Sequence, residues 1–381
     1  DGYNPLVVKG TTFHVAQPEK IDDLLGRSVR EKNRGPLKEF LRKSFSPGDL
    51  LQFIDTQTIG LTVDTRTFFG YVMELCHRQE MAEHGEGFWA DHWTYNLDLI
   101  ESYLALYPEN LRLLLLEKKV FSFYHNNHYV LPRAQRYILT GRGVRQYHSV
   151  GKDMHHDKSG GRGNVLRAGH GEGDAYHTHL LGKLLCLIAN KIASLDPSGI
   201  GVEMEADKPN WYDALNGLPG LIGSSSSETF EIKRACEFVL DALKRSAVND
   251  QQGIKFFEEL ADFIIHLKQI LAASANTLTY WFDSNDAKEH YRAKILMGIS
   301  GTEKQLTLAE VKDFLNLVIA KVDLAIESAR NEKSQLATYF YHEVTEYKRP
   351  EKGDGKHVLP LNFKRHVLAL FLEGYVHALR I

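Results

Sequence analysis

Cysteine is nearly missing from this chain, with three in 381 residues. Cys76, Cys186 and Cys236 are far apart and odd in number, which speaks against a disulfide framework. Two of them fall inside apolar helical patterns, where a thiol acts as a small hydrophobe. A reducing, cytoplasmic setting is expected. Long apolar runs are lacking as well: residues 180–193 form the strongest, and Lys183, Asn190 and Lys191 interrupt it well short of the roughly 18 to 20 apolar residues that a membrane span needs. No membrane partner is expected. Charge of one sign is not in excess, since 46 basic and 49 acidic residues leave a net charge of -3. A polycationic surface of the kind that neutralises phosphates is thereby excluded, and with it a nucleic-acid partner. No fixed-period repeat occurs, which excludes a TPR-like solenoid. The chain opens at Asp1 with neither methionine nor a signal-like segment, and reads as a processed chain or a piece of a longer one.

What is present is ordinary globular composition, 43% hydrophobic and 25% charged, enough to bury a large core. Apolar residues recur at helical spacing over most of the sequence. Ser46-Pro47 puts a cap and then proline ahead of a run from Leu50. Helices are expected over 66–81, 94–106, 109–118, 175–194, 252–273 and 362–379. Two more open on capping boxes, Ser225 with Glu228 and Thr307 with Glu310. Strand-like alternation is scarce, confined to short candidates at 7–14 and 339–347. Residues 121–174, rich in His, Tyr, Gly and Arg, read as long ordered loops with one hairpin, and loops of that length in a compact enzyme are usually functional. The expected fold is all-α, helical hairpins arranged in a ring or layered array, with residues 1–45 as an N-terminal extension and 46–381 as the helical domain.

The chemistry concentrates in 201–217, where Glu203, Glu205, Asp207 and Asp213 surround Trp211, Tyr212 and Asn216. Unpaired carboxylates are costly to desolvate, so this stretch must face water or a polar cleft. Sugars suit such a cleft, because their C-H faces stack on aromatic rings while carboxylates and amides take their hydroxyls. Cleaving a glycosidic bond also needs a carboxylic acid beside the leaving oxygen, with its pKa raised by apolar or like-charged surroundings. Asp213, next to Trp211 and Tyr212, has that setting.

At these residues the sequence resembles the inverting disaccharide phosphorylases of the cellobiose phosphorylase type, whose (α/α)6 barrels carry Asp-Trp-Asn-Asp, two residues, then Asn. Here the stretch is Asn210-Trp211-Tyr212-Asp213-Ala214-Leu215-Asn216. The tryptophan, second aspartate and later asparagine match; Asn210 and Tyr212 replace the other two. The resemblance implies an (α/α)6 toroid and a general-acid role for Asp213. A looser echo at Trp89, Asp91, His92 and Trp93 implies the sugar-binding end of the cleft. The β-domains that flank the barrel in that family have no room here, so the chain would be a bare catalytic barrel or part of a multidomain enzyme.

The expected function is therefore inverting cleavage of an oligosaccharide, by hydrolysis or phosphorolysis. Hydrolysis needs a second carboxylate about 6.5 to 9.5 Å from the acid. Glu343 and Glu346 in the aromatic run 339–346, and Glu205 nearer by, are the candidates, with Tyr341 as a further substrate contact. Phosphorolysis needs no carboxylate base but a phosphate seat, for which Ser225 at a helix start, Arg167 and His170 are candidates. Helix capping alone already explains Ser225. Inorganic phosphate as co-substrate is then the one small-molecule requirement, and no other cofactor is expected. The histidines follow no zinc-ligand spacing, so no metal is expected. Partners beyond the sugar are other domains of a longer chain or a second copy. The alternative is a domain of the same architecture that binds carbohydrate without turning it over.

Overall fold

The computed structural model describes residues 10–81, 93–125, 128–146, 149–152, 164–204, 220–273, 275–350 and 355–381. The chain divides into two compact units, one of residues 7–84 with 161–165 and the other holding nearly all the rest.

The smaller unit begins with strand β1 (Gly10–Val15), continues through helices α1 (Ile21–Ser28), α2 (Glu31–Leu41), α3 (Pro47–Thr56) and α4 (Thr65–Glu74), and ends with β2 (Cys76–Met81), antiparallel to β1. Ser46 starts α3 as expected: its hydroxyl accepts from the Asp49 N–H, and the Asp49 carboxylate accepts from the Ser46 N–H. Leu24, Leu37, Leu41, Leu50 and Phe68 meet in one buried core. That core joins α1 and α2 to α3 and α4, so the described residues before Ser46 pack with those that follow it. The helix expected over 66–81 ends at Glu74, because from Cys76 onward the backbone is hydrogen-bonded to β1.

The larger unit opens with α5 (Thr94–Leu106), followed by short helical turns at Pro108–Asn110 and Leu113–Glu117. The loop-rich region holds β3 (His128–Val130), α6 (Arg133–Arg136), β4 (Ile138–Thr140), β5 (Gly143–Arg145) and β6 (Val150–Lys152). These strands form two small antiparallel pairs, β3 with β6 and β4 with β5. Next comes α7 (Leu180–Ile192), buried along its whole length except at Lys191. A helix apolar on every side belongs inside a bundle, and α7 is that element. Then follow β7 (Val202–Glu203), β8 (Ile222–Ser225), α8 (Ser226–Arg245), β9 (Gly253–Phe257), α9 (Glu258–Ala273), α10 (Thr277–Ile295), β10 (Glu303–Thr307), α11 (Leu308–Ser328), β11 (Tyr339–Lys348), β12 (Leu359–Val367) and α12 (Glu373–Ala378). Strands β9 and β10 pair antiparallel and run directly into α9 and α11, so one ladder ties the starts of both helices together.

These elements overturn the all-α toroid. The chain is 52% helical and 21% strand, in five antiparallel sheets among the described residues, a mixed architecture. The reason is visible at 362–379. Phe363, Val367 and Phe371 have helical spacing, yet residues up to Val367 pair with β11, and only Glu373–Ala378 is helical. Helical period is a local signal, and a long cross-strand ladder outweighs it. Among the described residues no helix is long and apolar enough to cross a membrane.

The start of α7 shows an uncommon cap. His179, almost fully buried, accepts the Gly182 N–H on Nδ1 at 3.1 Å, which requires a neutral ring. Burial, and then the Lys119 charge, push its pKa down from 6.5 to about 4. An unfolded chain takes up the proton near pH 6.5 while the folded chain resists until about 4, so stability falls as pH drops through that interval, by about 3 kcal/mol in all. His179→Asn keeps a capping acceptor and does not titrate. Urea unfolding at pH 7 and pH 4.5 is expected to show a clearly smaller acid loss in this variant than in the parent chain.

Candidate functional site

The acidic, aromatic stretch lies between β7 and β8, and those two strands are ladder neighbours. Val202 pairs with Ser225 and Glu203 with Ser224, and the Met204 N–H donates to the Gly223 carbonyl at 2.8 Å. The turn into β7 is tightly specified. Asp196, fully buried, accepts the N–H groups of Ser198, Ile200 and Gly201 and the Ser224 hydroxyl at 2.7 to 3.1 Å. Gly201 is required there, since a Cβ would lie 2.9 Å from the Ser225 backbone. Ser198 Oγ also sits 2.9 Å from His342 Nε2. This is no catalytic triad: Asp196 approaches the same ring nitrogen, at 3.8 Å, rather than Nδ1.

Strand β8 pairs next with β11 (Tyr341 opposite Gly223), and β11 with β12 (Tyr341 opposite His366), giving the order β12-β11-β8-β7. Because directly opposed residues share a face, Tyr341 and His366 stand on one side of this sheet, and Glu343, two residues along, joins them. The Tyr341 and His366 rings stack at 4.4 Å with planes 3° apart. His366 Nε2 lies 3.1 Å from Glu343 Oε2. Glu343 remains open to water, its side chain 53% exposed.

The opposite face carries Glu203, almost wholly buried. Its carboxylate accepts from the Trp281 indole N–H at 3.3 Å and the Tyr137 hydroxyl at 3.4 Å, with Arg136 Nη1 at 3.9 Å. Arg136 and Arg133 both reach Glu289, and Arg133 also binds Asp286. Trp281 is further enclosed by the Arg133 guanidinium, 5.2 Å from its ring centre, and by the edge of Phe363. Glu203, Trp281, Tyr137 and Arg136 thus form an ionic and aromatic cluster at the root of the acidic stretch.

The sequence-derived candidates separate into three groups. Asp213, Glu205, Trp211, Tyr212, Asn216, Trp89, Asp91 and His92 lie outside the described residues. Glu343 and Tyr341 lie two residues apart on β11, on one face of the sheet. Trp93, Ser225 and Arg167 have structural employment. Trp93 is buried, and its indole N–H donates to Glu228 Oε1 at 2.6 Å, which also binds Lys191 at 2.6 Å. It is an anchor of the core, not an exposed sugar platform. Ser225 is fully buried and its hydroxyl accepts the Ser227 N–H, so it caps α8 and is closed to a phosphate. Glu228 closes no capping box with it, being committed to Trp93 and Lys191. Arg167 donates to the Gly173 carbonyl at 2.9 Å inside its own loop, and His170 is exposed there with φ 53°. Among the described residues no group of three or more His, Cys, Asp or Glu could hold a metal ion.

His366 and the Glu203 cluster were not foreseen. His366 falls in the stretch read as a helix, where nothing brings it to Glu343; only the β11–β12 register does. Comparison with known proteins adds no relative: no family model matches the chain, and no curated protein matches it.

Proposed function

We propose that this chain cleaves a glycosidic bond of an oligosaccharide by inverting hydrolysis, with Asp213 as general acid and Glu343 as general base. The observation that supports it is the strand order β12-β11-β8-β7. Strand β7 leads into the acidic, aromatic stretch and β8 follows it in the chain, and the strand beside β8 carries Tyr341 and an accessible carboxylate, Glu343. An inverting hydrolase needs a second carboxylate besides its acid, and Glu343 offers an exposed one on the strand that pairs with β8.

In this mechanism Glu343 takes a proton from water as the water oxygen bonds to the anomeric carbon, while Asp213 gives its proton to the departing glycosidic oxygen. Hydrolysis is preferred to phosphorolysis because Glu343 supplies a base, and the serine considered for phosphate is a buried helix cap.

A panel of α- and β-linked gluco-, manno- and galacto-oligosaccharides, followed by proton NMR with and without inorganic phosphate, tests this. The expected result is a reducing sugar whose first-formed anomer is inverted, released without phosphate. A sugar 1-phosphate formed only when phosphate is present would replace hydrolysis by phosphorolysis. Binding without product across the panel would leave a carbohydrate-binding domain and overturn the enzymatic reading.

A further inference from the structure

We infer that His366 is the positioning residue of the proposed base, holding the Glu343 carboxylate through Oε2 and leaving Oε1 to the attacking water. This rests on the reading of Glu343 given above. The contact is geometric: Nε2 to Oε2 is 3.1 Å, and a carboxylate can only accept there, so Nε2 carries the hydrogen. The imidazole is itself held on two sides. Its backbone is fixed opposite Tyr341 in the β11–β12 ladder, and its ring lies flat on the Tyr341 ring at 4.4 Å. Among the described residues Oε1 of Glu343 takes no hydrogen bond, and the side chain is exposed enough to meet water. An exposed glutamate on a strand otherwise samples several rotamers, and a base must be held within hydrogen-bond reach of the proton it abstracts. The donor on the neighbouring strand removes that freedom without neutralising the carboxylate. Lys364, opposite Glu343 in the ladder, is the other charged group on this face of β12.

The test separates the hydrogen bond from the ring. His366→Phe keeps a flat ring on Tyr341 but has no donor, while His366→Gln has no ring but returns an N–H near the Nε2 position. On the oligosaccharide of the panel with the highest turnover, H366F is expected to lose at least tenfold in kcat with KM within twofold of the parent, and H366Q to recover most of that loss. H366F turning over at the parental rate, or H366Q as slow as H366F, overturns the role. Glu343→Ala distinguishes the two levels: E343A inactive beside a fully active H366F removes only the positioning role, whereas a fully active E343A removes the base assignment and this inference with it. A readout independent of turnover is the imidazole N–H resonance of His366 in histidine-labelled protein. It is expected to be protected and downfield in the parent and to be lost in E343A; a resonance unchanged in E343A would contradict the contact.

Discussion

Asp213→Asn is expected to lower turnover on an unactivated oligosaccharide by about 10²- to 10⁴-fold, the range associated with loss of one general acid or base. Asparagine keeps the size and hydrogen-bonding capacity of the side chain but has no carboxylic proton to give. The loss corresponds to about 3 to 5 kcal/mol of transition-state stabilisation, which no surface substitution would produce. Substrate binding should persist, since the amide still takes sugar hydroxyls, so the effect falls on kcat. A second substrate sharpens the assignment. With a dinitrophenyl glycoside the departing oxygen needs no proton, and the same variant should recover to within a few-fold of the parent chain. A variant equally slow on both substrates has lost something other than proton donation, and one that retains full turnover on the unactivated sugar removes Asp213 from the mechanism.

Much of the helical part of this fold was written in local signals. The caps at Ser46 and Thr307 place α3 and α11, and the apolar run and terminal proline bracket α5. What escaped did so for identifiable reasons. Helix α10 buries Ser284, Asn285 and Lys288 alongside Tyr280 and Trp281, so it has no apolar stripe to find. Strands β9 and β12 sit within stretches whose apolar spacing is also helical, and pairing with β10 and β11 decides between the two. The site follows the same division. Tyr341 and Glu343 stood out as candidates because aromatic and acidic residues cluster in the run 339–346, two positions apart on one strand. His366 did not, because a residue 23 positions away becomes a neighbour only through the register of a ladder. Trp93 misled in the opposite sense. An indole beside charged residues looks like a sugar platform, and its N–H is instead the donor to a buried glutamate.

Buried charge is the feature in which this chain departs furthest from a plain helical core. Glu203 and Glu228 each lie under the sheet or bundle with both cationic and indole partners, and such groups are tolerated inside only when every one is hydrogen-bonded. Both are tied to elements that flank the acidic stretch: Glu203 leads into it, and Glu228 belongs to the helix that follows β8. The expected consequence is a stiff frame around the candidate site.

Lys183 has no such compensation, and replacing it by methionine is expected to stabilise the chain. The lysine lies in the middle of α7, buried, with its ammonium donating to the Ser122 carbonyl and 4.0 Å from the centre of the Phe123 ring. Burial pulls its pKa down from 10.5 to about 7. The unfolded chain therefore holds a proton between about pH 7 and 10.5 that the folded chain has given up, and stability rises with pH across that window. Below pH 7 both states are charged and the whole penalty is present, about 5 kcal/mol at 1.36 kcal/mol per pH unit. Methionine fills similar volume without a charge, and leaves the Ser122 carbonyl short of a donor, a loss of about 1 to 3 kcal/mol. A net gain of about 2 to 4 kcal/mol is expected at pH 6 to 7. It should shrink as pH rises above 7 and reverse between about pH 8 and 10, once the remaining burial penalty falls below the value of the lost hydrogen bond. Denaturant unfolding of Lys183→Met and the parent chain at pH 6, 8 and 10 measures this directly, and a difference that does not vary with pH would mean that burial leaves the amine's pKa at its unfolded value.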